Sequence, residues 1–139
     1  MSLPEPGQLE TDAAPAALDE VDLLLTQMWS AFPHVPSRVR TQMAIATAEI
    51  VANIIEHAAA GRRVRIAMEV WVLATEVWVK FTDDGAPMQL DLDSVSLPDN
   101  DAERGRGLAL ARAALERLSY QRNSANHWTL VSKPFGDAV

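Results

Sequence analysis

The chain has 139 residues, 48% hydrophobic and 22% charged, with a formal net charge of −7. That length favours one domain, residues 1–139, with a real core. The acidic balance argues against nucleic acid or an anionic membrane as a partner. Without cysteine there is neither a disulfide framework nor a thiolate metal site, and His34, His57 and His127 lack zinc-ligand spacing. The opening MSLPEPGQLETD has no apolar core of a secretory signal. No apolar run approaches the roughly 20 residues that cross a bilayer, so a cytoplasmic location is expected.

Residues 1–16 carry Pro4, Pro6 and Pro15 and read as a leader, in which GQLET can supply a short edge strand. Leu18, Val21, Leu24, Leu25, Met28 and Trp29 recur at helical spacing and predict a first helix over 17–32. FPHVPS breaks it. Ser37 then caps a second helix running to about residue 60, where Gly61 ends it. Met43, Thr47, Val51, Ile54, Ile55 and Ala58 give that helix a broad packing face. Glu49, Asn53 and His57 recur every four residues along a narrow stripe, with Glu56 beside it. The stripe is either a solvated helix face or the wall of a site.

Two antiparallel strands follow. VRIAMEVWV (64–72) sets Val64, Ile66, Met68, Val70 and Val72 on one face, with Arg65 and Glu69 on the other. After a turn near Ala74 and Thr75, EVWVKFTD points Val77, Val79 and Phe81 inward and Trp78, Lys80 and Thr82 outward. Residues 85–104 have no period, and a stretch that long reads as a functional lid or as disorder. Asp83, Asp84, Asp91, Asp93, Asp99, Asp101 and Glu103 fall between 83 and 103 without a Lys or Arg, a solvated acidic loop for the most part. A third helix begins at Gly107, with Leu108, Ala111, Leu115 and Leu118 on its apolar side. LSYQR and HWTLVSK close a hairpin around Asn123, Ser124 and Ala125. The order predicts an α/β two-layer sandwich: a mixed, mostly antiparallel sheet covered on one face by about three helices.

The inward parity of the second strand continues to Asp83 rather than Asp84. A carboxylate delivered to a buried face is costly unless something pairs with it, although Asp-x-Gly at a strand end also serves as a simple turn cap. Gly85 beside it permits a close backbone approach. In GRGLALAR, Gly105 and Gly107 open a helix whose free N–H groups attract anions. Arg104 and Arg106 at that positive end either answer a bound anion or are merely solvated.

E-x-x-x-N-x-x-x-H-A on a helix, a strand ending D-x-G, a variable stretch and G-x-G-L opening a helix occur in that order. The set resembles the GHKL ATPase superfamily (gyrase, histidine kinases and relatives) with its left-handed Bergerat ATP-binding fold. The single-domain size and the DDGAP, GRGLALAR and NHWTLV segments resemble most closely the anti-sigma-factor serine/threonine kinases of bacterial partner switching, over roughly residues 8–133. The resemblance implies ATP and Mg²⁺, with Glu49 as general base and Asn53 as Mg²⁺ ligand. His57 closes that motif. Asp83 would accept the adenine amino group with Gly85 beside the base. Gly105 and Gly107, flanked by Arg104 and Arg106, would wrap the phosphates. Asn126 stands where the family has a Thr that helps hold adenine, and Pro87 where the wider superfamily often has a second glycine.

The implied activity is phosphorylation of a STAS-type anti-sigma-factor antagonist by a homodimer that also binds a sigma factor. Trp71 and Trp78, expected to be exposed, would cover an interface. A nucleotide-gated binding module without useful catalysis is the alternative. A sensor histidine-kinase fragment is the less expected one, since nothing upstream resembles a phospho-accepting helical hairpin.

Overall fold

Alternation along the strands accounts for most of the architecture. The computed structural model describes residues 4–59, 61–88 and 103–136, the side chains of 103–106 excepted. The elements in chain order are β1 (Gly7–Asp12), α1 (Ala16–Ala31), α2 (Ser37–Asn53), β2 (Arg65–Val72), β3 (Val77–Asp83), α3 (Glu103–Ala114), β4 (Leu115–Arg122) and β5 (Asn126–Ser132). Ile66, Met68, Val70 and Val72 of β2 and Val77, Val79 and Phe81 of β3 are buried, while the residues between them are not. Against that face pack Val21, Leu24, Leu25 and Met28 of α1 and Val39, Met43, Ala46 and Ile50 of α2. Sheet on one side and helices on the other make the two-layer α/β sandwich. No described helix is long and apolar enough to cross a membrane.

The strands run in the order β1-β2-β3-β5-β4, and every pairing is antiparallel. The sheet is therefore not mixed. Two helical passes separate β1 from β2 and return the chain in the opposite sense. Only α3 separates β3 from β4, so those two run in the same direction, but β5 lies between them. The GQLET segment belongs to β1, an edge strand paired from Gly7↔Val70 to Asp12↔Arg65.

Several boundaries differ from the sequence expectation. Ser37 is the first helical residue, preceded by an extended Pro36, and makes no side-chain capping bond. The second helix leaves α geometry after Asn53 and continues as a π-helical stretch, Ile54–Ala59. Gly61 follows at φ 83°, a conformation that favours glycine. The third helix starts at Glu103 and stops at Ala114, so Leu115 and Leu118 belong to β4, where Leu118 faces Leu130. Helical propensity is a weak preference, and the open edge of β5 satisfies its backbone groups by recruiting these residues. Residues 89–102, the body of the expected lid, lie outside the described residues.

Trp71 and Trp78 are half-buried cross-strand partners on the sheet's outer face, not freely exposed. Lys80 Nζ lies 5.8 Å from the Trp71 ring and the Arg117 guanidinium 5.0 Å from that of Trp78. These cations cover the rings in part.

Candidate functional site

Asp83 ends β3 with its side chain on the helical side of the sheet and 1% exposed. Its register partner is Asn126, the first residue of β5, which is fully buried. Asp83 Oδ1 accepts from Asn126 Nδ2 at 2.8 Å and from Gly85 N at 2.9 Å. Asp83 Oδ2 is buried without a partner. Burial pushes the carboxyl above the usual carboxylate range. The hydrogen bonds from Asn126 and Gly85 and the charge of Arg122 oppose that rise, while Asp84 adds to it. Asp83 thus also caps the turn through Gly85 N, while Asp84 is exposed and its Oδ1 accepts from Arg65 N at the start of β2 at 2.9 Å.

The loop after β3 is fastened to the end of the second helix. A β-carbon on Gly85 would lie 2.7 Å from Ala58 O and 2.8 Å from Ala58 Cβ, so only glycine fits without a shift. Ala86 N donates to that same carbonyl at 3.1 Å. Wider π-helical hydrogen bonding leaves terminal carbonyls for such use.

Glu49 is half-buried, and its carboxylate lies against Gly107, where a β-carbon would collide with Glu49 Oε2. Asn53, four residues on, is 9% exposed, and its Nδ2 is buried with no partner. His57 lies in the π-helical stretch and is partly exposed. His57 Nε2 is 3.8 Å from Glu56 Oε2, and nothing ties the ring to Asp83 or Glu49. Gly105 and Gly107 lie inside the first turns of α3 rather than before it. The Arg104 and Arg106 side chains lie outside the described residues.

The fold thus unites Asp83, Gly85 and Asn126 at one end of the sheet and sets Glu49 against Gly107 on the helical side. Four described buried polar atoms have no partner: Gln42 Oε1, Asn53 Nδ2, Asp83 Oδ2 and Trp128 Nε1. Two belong to motif residues, and such orphans are costly unless a ligand answers them.

Two further residues complete the Asp83 cluster. The Tyr120 hydroxyl donates to Asn126 Oδ1 and accepts from Met88 N at 3.0 Å. Arg122 Nη1 donates to Gly85 O at 2.9 Å and to Asn126 Oδ1 at 3.2 Å. The strand register brings them there, setting Arg122 opposite Asn126 and Tyr120 opposite Trp128.

A five-stranded antiparallel sheet under three helices, with a buried carboxylate at the sheet's end, is consistent with the GHKL type of ATP-binding fold. The histidine kinase-like ATPase domain model matches residues 11–133, and the chain belongs to that family, which implies ATP binding. Among solved structures, the histidine kinase domain of a blue-light activated histidine kinase from Erythrobacter litoralis matches at TM-score 0.54 and 16% identity, covering 81% of this chain. The chain spans 64% of that domain's length. The nucleotide-free catalytic domain of the histidine kinase ThkA matches at TM-score 0.52 and 15% identity, over 90% of this chain and 95% of that one. Likeness at such identity establishes the fold alone. No curated protein gives a significant match.

Proposed function

We propose that this chain is an ATP-dependent serine/threonine protein kinase that phosphorylates a STAS-type anti-sigma-factor antagonist and, as a homodimer, binds and silences a sigma factor. The observation that carries the nucleotide part is Asp83 Oδ2, a buried acceptor with no protein donor. An adenine amino group is the donor it lacks. The choice of antagonist and sigma factor as partners is supported by the DDGAP, GRGLALAR and NHWTLV segments.

The residues present suit Mg-ATP. Mg²⁺ keeps most of its waters and takes few protein ligands beside phosphate oxygens, so the single amide oxygen of Asn53 suffices. When bound, it would neutralise phosphate charge. Asp83 and Gly85 seat the base, and Gly105 and Gly107 let the start of α3 approach the phosphates. Glu49 takes the proton from the acceptor hydroxyl. The hydroxyl oxygen bonds to the γ-phosphorus as the β–γ bridging bond breaks and ADP leaves.

The test is transfer of labelled γ-phosphate from Mg-ATP to a panel of STAS-type antagonist domains. Transfer to a Ser or Thr, falling about 10²- to 10⁴-fold in a folded Glu49→Ala variant, is expected of a lost general base. Nucleotide binding without transfer to any antagonist would replace the kinase with a nucleotide-gated module.

A further inference from the structure

Asn126 is a fully occupied amide. Its Nδ2 donates to Asp83 Oδ1 and to Ala86 O, each at 2.8 Å. Its Oδ1 accepts from the Tyr120 hydroxyl and from Arg122 Nη1. A side-chain amide has two N–H groups and two lone pairs, so none is left for a ligand. Asp83 Oδ1 is filled as well, by Gly85 N and Asn126 Nδ2.

The orientation of the amide follows from its neighbours. Turned over, Asn126 would set its carbonyl oxygen against the Asp83 carboxylate and its N–H groups against Arg122. Arginine has five donors and no acceptor, so it fixes which end of the amide faces Asp83. The same groups hold the loop that carries Gly85. Arg122 reaches Gly85 O, Asn126 reaches Ala86 O, and Tyr120 receives Met88 N.

We propose that Tyr120 and Arg122 are positioning residues for nucleobase selectivity, a role that rests on ATP occupying this cleft. They orient Asn126, Asn126 holds Asp83 by Oδ1, and Oδ2 is the acceptor offered to the base. A 6-amino group satisfies that oxygen. A 6-oxo group in its place would set oxygen against oxygen. Once Tyr120 or Arg122 stops holding it, Asn126 no longer fixes the Asp83 carboxylate, which can turn Oδ2 aside and relieve the oxygen-against-oxygen contact with a 6-oxo group. Selectivity changes then, and not affinity alone.

Wild type, Tyr120→Phe and Arg122→Met are titrated with Mg-ATP and with Mg-inosine triphosphate. Wild type is expected to prefer ATP. In the variants ATP binding should weaken roughly 5- to 10-fold, the scale of one hydrogen bond, while binding of the inosine nucleotide holds or improves. Arg122 is largely exposed, so its variant keeps the test available if Tyr120→Phe fails to fold. A nucleotide-free readout accompanies this: the two Asn126 side-chain amide protons in ¹⁵N spectra, protected from exchange in wild type and released in both variants. Normal ATP binding with an unchanged preference in both variants would overturn the selectivity role alone, as would unaltered amide signals. Binding of neither nucleotide by wild type would overturn the ATP reading and the selectivity role with it.

Discussion

Gly85 lies so close to Ala58 that a β-carbon on it would sit 2.7 Å from the Ala58 carbonyl oxygen. That contact is backbone against backbone, so neither side can swing away. It joins the Asp83 loop to the π-helical end of the second helix, which the Ala86 N to Ala58 O bond reinforces. Gly85→Ala should therefore destabilise the fold by about 1–3 kcal/mol, the usual cost of overpacking. Chemical denaturation would measure it. An unchanged midpoint would mean that the loop and the helix end are not fastened.

Asp83→Asn tests the carboxylate. Its amide oxygen can still accept from Gly85 N and Asn126 Nδ2, but its N–H groups would meet the donors of an adenine amino group. ATP binding measured by calorimetry should be lost. Retained affinity would remove Asp83 from the site.

The pH dependence of melting gives a second check on the same residue. Burial raises the Asp83 pKa in the folded chain, so between the ordinary Asp value of about 3.9 and the raised value the folded state holds the extra proton. The Asp83 contribution to stability should thus decline as pH rises through that window and level off above it. Asp83→Asn removes this segment, so its melting point should gain on wild type with rising pH and then run parallel. A difference that stays constant across the window would contradict a raised pKa.

Asp83 was legible because strand alternation needs only local sequence: Val77, Val79 and Phe81 point inward, and the next step is Asp83. Tyr120 and Arg122 were not, because their partners are Asn126, Gly85 and Met88, and only the turn at 123–125 and the strand register bring them together. The end of α3 is a similar case. LALARAALERL keeps a helical period through Leu118, and the decision to leave it belongs to the β5 ladder. The π-helical stretch that ends the second helix leaves no mark in ATAEIVANIIEHA. Residues 85–104 had no period to read at all.

Asn53→Ala separates metal binding from proton transfer. The side chain is nearly buried and its Nδ2 makes no protein bond, so the variant loses packing but no hydrogen bond from that nitrogen. If its oxygen holds Mg²⁺, the variant should bind ATP about tenfold more weakly in Mg²⁺, as loss of a supporting metal contact typically does. Affinity in the presence of EDTA should match wild type. An equal loss with and without metal would assign Asn53 to the nucleotide itself or to the fold.

Gly107→Ala isolates the contact between the start of α3 and Glu49. The atom in the way is Glu49 Oε2, the free end of a flexible side chain, so the carboxylate can move aside. Alanine also favours a helix over glycine by about 1 kcal/mol, so the melting point should hold or rise. If Glu49 is the general base, transfer to the antagonist should nevertheless fall, because the displaced carboxylate would no longer face the acceptor hydroxyl. The double mutant decides the cause. In a Glu49→Ala background the collision is gone, and residues acting through one contact are not additive. Gly107→Ala should then lower transfer no further. If it lowers transfer by the same factor in both backgrounds, Gly107 acts on the phosphates independently of Glu49, and the contact between them has no part in catalysis.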